Sequence, residues 1–226
     1  GVASWSILAL TFTNKAAGEM RGRVASLIDT QRSGAHDLVM STFHAFCALV
    51  LREYGERVIG TTSFTIYDTT DQRDAVKRAL RACDLGTDNW RPASVLAAIS
   101  DAKNRLIGPD ELAASAVDFH DRTIARIYRV YDQILRDSGA VDFDDLLLAV
   151  ATLLRCDEEV RSAMQERFTH VLVDEYQDTN HAQFVIADAI ASVHRNICVV
   201  GDPDQSIYAW RGADISNILD FESHYG

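Results

Sequence analysis

Residues 170–180 read HVLVDEYQDTN. The first four form an apolar and aromatic run with β-branched Val171 and Val173, the pattern of a strand covered on both faces in a parallel sheet. In open sheets of this kind ligands are held at the carboxyl ends of the strands, so Asp174 and Glu175 stand where a ligand would sit. Two adjacent carboxylates repel one another unless positive charge arrives. A magnesium ion carrying a nucleotide phosphate would supply it, with one carboxylate on the metal and its neighbour free to orient a water. The same stretch also reads as a helix start, because Asp178, Thr179 and Asn180 are all good caps for the helix suggested by AQFVIADAI at 182–190. The two readings coexist.

Outward from this stretch the chain alternates strands and helices. ILALTFT at 7–13 predicts a strand, after which Asn14 caps a helical pattern through Ile28 with apolar Ala17, Met20, Val24 and Ile28. DLVMS predicts a second strand and TFHAFCALVLREYG a helix closed at Gly55; FTIYD at 64–68 is another short strand. From Thr70 to about Asp137 the pattern is helical only, with segments at 71–86, 92–108 and around 120–139. After Gly139 come two helices, the strand above, a further helix, a strand at NICVVGD and a final helix after Asp214. The fold class is therefore α/β: a parallel sheet flanked by helices in two parts, 1–69 and 138–226, with an all-helical insert at 70–137.

Composition sets limits on function. The 226 residues are 47% hydrophobic and 24% charged, which is ordinary for a globular protein. No apolar run approaches the roughly 18 residues a membrane span needs, and no basic and apolar leader opens the chain, so the cytoplasm is the default location and no membrane partner is expected. Cys47, Cys83, Cys156 and Cys198 lie far apart without a CxxC, which suggests reduced, mostly buried thiols rather than zinc ligands or disulfides. The net charge of −11 is unevenly spread, with 5 basic and 17 acidic groups in residues 137–226. Such a segment suits magnesium and repels nucleic acid, leaving any nucleic-acid contact to the first two thirds or to aromatic stacking.

Three further motifs fall at strand ends. TFTNKAAGEM places Thr11, Phe12, Thr13 and Asn14 in a turn whose free backbone N–H groups face the crevice. Phe12 there is either core packing or a platform for a base. STFHAFC repeats the arrangement with Thr42 and His44, the histidine being either structural or a phosphate contact. GDPDQSIYAWRGAD at 201–214 crowds Asp202, Gln205, Tyr208, Trp210 and Arg211 into one loop, and loops seldom expose Tyr and Trp together without a binding reason. Trp210 also fits as a lid on the core, and Arg211 as a salt-bridge support for the loop.

Taken together and in order, TFTNKAA, STFHAFC, DFDDLL, VDEYQDTN and VVGDPDQSIYAWRGADI resemble the motifs of superfamily 1 DNA helicases of the UvrD/Rep/PcrA type, over nearly the whole chain. The resemblance implies a RecA-like, P-loop NTPase-type motor domain and a part in an ATP-dependent 3′–5′ helicase, cytoplasmic and active in DNA repair or replication, that moves on single-stranded DNA and opens duplex junctions. By the same likeness Asp174 holds the magnesium of ATP, Glu175 activates the attacking water, Gln205 senses the γ-phosphate and Arg211 joins the catalytic set. Phe12, Tyr208 and Trp210 would stack on bases, while Thr11, Asn14, Thr42 and His44 touch the strand's backbone. Stacking tolerates any sequence, which reconciles an acidic chain with a nucleic-acid partner.

The chain departs from that pattern in one respect. It has no G-x-x-x-x-G-K-[ST], and its three lysines, Lys15, Lys77 and Lys103, do not follow a glycine. The expectation is a piece of a larger helicase, lacking the phosphate-cradling loop and a C-terminal motor domain of the same protein, and inactive by itself. Two other classes stay open: a magnesium nuclease or phosphatase in which Asp174, Glu175 and Asp178 share a metal pair, and a non-catalytic single-stranded DNA-binding fragment. A helicase joined to a nuclease is a variant within the family.

Overall fold

The structure, a computed structural model, describes residues 1–27, 38–208 and 212–225. In chain order the main elements are β1 (Ile7–Thr11), α1 (Asn14–Leu27), β2 (Val39–Thr42), α2 (Phe43–Tyr54), α3 (Glu56–Ile59), β3 (Thr65–Ile66), α4 (Thr69–Ala82), α5 (Pro92–Asn104), α6 (Pro109–Ser115), α7 (Phe119–Asp137), β4 (Ala140–Val141), α8 (Phe143–Cys156), α9 (Glu158–Arg167), β5 (His170–Val173), α10 (His181–Ala191), β6 (Ile197–Val199), α11 (Ser216–Leu219) and α12 (Phe221–Tyr225). Four strands form one parallel sheet in the order β2-β1-β5-β6. Leu8 and Leu10 of β1 and Val171 and Val173 of β5 point into a core completed by α2, α8 and α10. Burying each such side chain contributes about 1.5–3 kcal/mol, which explains why the strand register follows the apolar pattern.

Strand β5 is covered on one face rather than two. Leu172 is 40% exposed and Cys198 on neighbouring β6 is exposed, while Val171 and Val173 are at 1%. The cysteine expectation is corrected with it: all four thiols are free, but only Cys47 and Cys83 are buried, and Cys156 and Cys198 are exposed.

The helix starts follow local chemistry. Thr13, not Asn14, caps α1: its hydroxyl accepts from Ala16 N at 3.1 Å, and Asn14 is already the first helical residue. The expected end of that helix at Ile28 lies outside the described residues. Gly55 does not end α2 in a left-handed turn, since its φ is −59° and α3 follows directly; the left-handed glycine is Gly60, with φ 74°. Gly55 is required instead by close approach, because a Cβ there would stand 2.5 Å from the Thr61 carbonyl oxygen. The last helix is two short ones, α11 and α12, separated by Asp220.

A second apolar cluster is built mainly from α4, α5 and α7, around Val76, Leu80, Ile99, Ile127, Tyr128 and Tyr131. Between the two clusters lies a two-stranded parallel sheet, packed on the larger core, that sequence patterning missed on one side: Thr65 pairs with Ala140 and Ile66 with Val141, where the chain leaves and re-enters that core. Two residues are too few for a periodic signal. Gly139, with φ 58°, makes the turn, and its carbonyl accepts from Thr65 N at 3.0 Å.

The two cores are tied together by buried ions. Lys103 of α5 lies 2.7 Å from both Asp142 and Asp145 at the start of α8, and the Tyr131 hydroxyl of α7 donates to Asp142 at 2.7 Å. Asp142 also caps α8 by accepting from Asp145 N.

Candidate functional site: a carboxylate pair beside an aromatic cleft

Asp174 and Glu175 emerge from the end of β5, where the backbone is stitched to both neighbours. Asp174 N donates to Leu10 O, Val200 N to Val173 O and Tyr176 N to Val200 O, all at 2.8–2.9 Å. Glu175 then turns the chain with φ 54° and ψ 45°, a left-handed conformation that costs a non-glycine residue about 1–3 kcal/mol and is retained where the surroundings over-determine it. That turn ends the strand at Val173, where the apolar run ends. Asp174 is half-buried and Glu175 exposed. Among the described residues, no side chain pairs with the Asp174 carboxylate.

Glu175 is held. Gln177 Nε2 donates to Glu175 Oε2 at 2.7 Å, and Gln177 Oε1 accepts from Asp202 N at 3.0 Å. Asp202 in turn accepts from Gln205 Nε2 at 2.7 Å through Oδ2 and from Asp204 N through Oδ1. The loop after β5 and the loop after β6 are therefore joined by a continuous set of hydrogen bonds from Glu175 to Gln205. Gly201 permits this approach: a Cβ there would lie 2.5 Å from Gln177 Oε1 and 2.8 Å from Ile218 Cδ1.

Beside this pair opens a cleft of about 810 Å³ between the sheet's carboxyl edge and the helical insert. Phe12, His44, Phe143, Asp144, Asp178 and Asn180 line it from the larger core, and Arg73, Ser100 and Asn104 from the insert. The rings of Phe12 and Tyr208 are 4.8 Å apart at 31°, and His44 meets Phe143 edge-on at 6.0 Å. Burial lowers the His44 pKa, favouring the neutral ring. Asp178 is raised by burial and then by the Glu175 charge, with the Ile207 amide opposing; among the described residues its Oδ1 has no hydrogen-bond partner. Burial and then Asp142 raise Asp144, which accepts from Asn104 Nδ2 at 3.3 Å. Asn104 also accepts from Asn180 Nδ2 at 2.6 Å, linking insert to core across the floor of the cleft. The floor is thus aromatic and acidic, a surface suited to base faces and poorly suited to phosphates.

The residues singled out in the sequence divide into groups. Asp174, Glu175 and Gln205 lie on the joined loops, and Phe12, His44 and Tyr208 lie at or beside the cleft. Thr42 accepts from Ala45 N at 3.2 Å as the cap of α2, which leaves its hydroxyl hydrogen to donate elsewhere. Thr11 is buried, its hydroxyl without a hydrogen-bond partner among the described residues, and Asn14 is exposed. Trp210 and Arg211 lie outside the described residues. Sequence reasoning missed Gln177, although it stands inside the decisive stretch, because an amide carries no charge pattern. It also missed Lys103, whose place among apolar Ile99 and Ala102 was the available signal of a buried cation.

The whole chain, residues 1–226, matches the family described as UvrD/REP helicase N-terminal domain. It is 44% identical over 224 residues to the ATP-dependent DNA helicase PcrA of Bacillus subtilis and to that of Leuconostoc citreum, and 43% identical to that of Staphylococcus aureus. Each alignment covers 99% of this chain and 30% of the relative, so the chain spans about a third of the length of these curated relatives.

Proposed function

Because this chain belongs to the UvrD/REP helicase N-terminal domain family, we propose that it is the part of an ATP-dependent DNA helicase that carries the hydrolytic carboxylates and one wall of the single-strand track. The relatives are named ATP-dependent DNA helicases, and the observation that carries the reading here is the continuous connection from Glu175 through Gln177 and Asp202 to Gln205, next to the Phe12–Tyr208 ring pair. Residues 70–137 are taken as a subdomain inserted into the motor domain, which forms the other wall. Movement in the 3′–5′ direction, a role in repair or replication and inactivity of these 226 residues alone belong to the same proposal.

The donor set fits magnesium in part. Asp174 offers a hard carboxylate oxygen with no competing partner among the described residues, and it would hold the metal; a bound magnesium nucleotide would supply charge neutralisation and the γ-phosphoryl group that water attacks, with the nucleoside diphosphate leaving. Glu175 takes the proton of the attacking water as general base. Gln205 stands on the loop that reports to the ring pair. Phe12 and Tyr208, with Trp210, present π-faces to bases of any identity, and Asn14, Thr42 and His44 lie toward the strand's backbone, whereas Thr11 is buried at 1% exposure. The acidic floor at Asp144 and Asp178 turns phosphates outward.

Glu175→Gln tests the reading in the whole protein. DNA-stimulated ATP hydrolysis is expected to fall by about 10²–10⁴, the usual worth of a general base, with single-stranded DNA binding retained. Undiminished hydrolysis would remove the assignment, and metal-dependent cleavage of DNA without ATP would favour the nuclease reading.

A further inference from the structure

We infer that a pocket at the junction between the helical insert and the larger core is a binding site for a small molecule with an apolar body and one ammonium group, received against the Asp145 carboxylate. The pocket shares no lining residue with the aromatic cleft, and the inference does not depend on the helicase reading.

The pocket has a volume of about 400 Å³, within the range of small-molecule sites. Both parts of the chain wall it: Val58 and Ile59 of α3 and Leu148 of α8 from the core, Leu135 of α7 from the insert, and Phe64 and Val141 where the chain passes between them. The space is there because little fills it. The crossing strands β3 and β4 have two residues each, and Gly139 beside them has no side chain, where a Cβ would meet no atom within 4 Å.

Charge selects the occupant. Arg136 and Asp132 of the lining satisfy one another in an ion pair at 2.6 Å. Asp145 has no cation of its own, since it shares the Lys103 ammonium with Asp142, each at 2.7 Å. Two carboxylates on one cation leave a negative surplus in a place poorly screened by water. Lys103 and Asp142 are sealed off, with side chains 0% and 2% exposed, whereas Asp145 keeps 13% and lines the pocket. It is therefore the member of the cluster that an incoming molecule meets. An ammonium beside it completes a set of two cations and two carboxylates, and the apolar walls cover the remainder of the molecule. An anionic ligand is refused by the same surplus.

This makes binding depend on pH. The groups facing Asp145 are Lys103 from α5, Asp142 on its own helix, and Tyr128, Tyr131, Asp132 and Arg136 from α7. Burial and the Asp142 charge push the Asp145 carboxyl up to about 7 in spite of Lys103. An ammonium favours the ionised carboxylate, so a proton leaves as the ligand enters and affinity rises with pH through that range.

The test adds phenethylamine to the whole protein, with phenethyl alcohol as the uncharged molecule of the same shape, and follows binding by ligand-observed NMR. The amine is expected to bind about tenfold more tightly than the alcohol at pH 8, to lose about tenfold in affinity at pH 6, and the alcohol to show no pH dependence. Slowed amide hydrogen exchange is expected in residues 58–64, 135–141 and 145–152. Asp145→Asn is expected to abolish both the preference for the amine and its pH dependence, leaving the alcohol's affinity as it was. Thr152→Trp, at an exposed position of the lining, narrows the pocket with Asp145 intact and is expected to weaken both probes about tenfold; it decides the matter if Asp145→Asn does not fold. Equal affinity for the two probes, no binding of either at about 10 mM, protection outside these segments, a preference that survives Asp145→Asn, or unchanged binding in Thr152→Trp overturns the inference.

Discussion

Lys103 Nζ lies 2.7 Å from Asp142 Oδ2, with the two side chains at 0% and 2% exposure. A second carboxylate, Asp145, approaches the same ammonium at 2.7 Å, and the rings of Tyr131 and Tyr128 stand 5.0 and 5.7 Å from it. A buried pair of this kind contributes little net stability compared with an apolar replacement of all its members, yet removing one member strands the rest. Lys103→Met is therefore expected to cost about 3–5 kcal/mol in urea unfolding, by leaving two carboxylates without a cation. Adding Asp145→Asn to Lys103→Met is expected to recover part of that loss; a double variant less stable than the single would show that Asp145 is not a burden once the cation is gone.

The same cluster makes stability depend on pH. Burial and the Asp142 charge push the Asp145 carboxyl up to about 7, while Lys103 holds Asp142 below its usual range despite burial. For Asp145 the folded pKa lies above the unfolded one, so between about pH 4 and 7 the folded state binds the extra proton and stability from this group declines as pH rises, being fully lost above 7. Asp142 has the opposite sign and withdraws stability only at more acidic pH. Unfolding free energy is expected to fall from pH 5 to pH 8, and Asp145→Asn is expected to flatten that slope. An identical slope in the variant would place the titration elsewhere.

How much of this was legible in the sequence depends on which physical signal each residue leaves. The apolar runs around Leu8, Leu10, Val171 and Val173 fixed the sheet, because burying alternate or continuous apolar side chains is a local and periodic demand. Asn180 was readable as a cap for the same reason, and it is one, accepting from Gln183 N at 2.9 Å. The two-residue strand β4, the short helices α3 and α6 and the open face of β5 left no periodic trace. The links from Lys103 to Asp142, Asn104 to Asn180 and Gln177 to Asp202 join residues 25 to 76 positions apart. Such pairs are settled by tertiary packing, so the sequence displays their chemistry without their partners.

Gly201 gives a check that is independent of any ligand. Its missing Cβ makes room for Gln177 Oε1, Ile218 Cδ1 and, at 3.1 Å, Tyr176 N. Gly201→Ala is expected to destabilise the chain by about 1–3 kcal/mol through overpacking, read as a lowered melting temperature. The φ of Gly201 is not in the left-handed region, so the cost is one of space and not of backbone strain. A neutral Gly201→Ala would mean that the loops separate easily, and with them the connection between Glu175 and Gln205.

Phe12 is the residue on which the nucleic-acid reading is most directly exposed. It stands just after β1, half-buried, lining the cleft with its ring 4.8 Å from that of Tyr208. If it packed only against the core, its removal would lower stability and leave affinity alone. As a stacking platform it contributes about 1–3 kcal/mol per base, so Phe12→Ala is expected to weaken binding to single-stranded DNA by about 5- to 150-fold in fluorescence anisotropy, alike for homopolymers of different base. Salt separates this from a charge effect. Phenylalanine neutralises no phosphate and releases no counterion, so the slope of log affinity against log salt is expected to be the same for wild type and Phe12→Ala. Phe12→Trp keeps a π-face and is expected to restore most of the affinity, whereas Phe12→Leu keeps apolar bulk without one and is not. Recovery by leucine equal to that by tryptophan would return Phe12 to the core and leave the cleft without its platform.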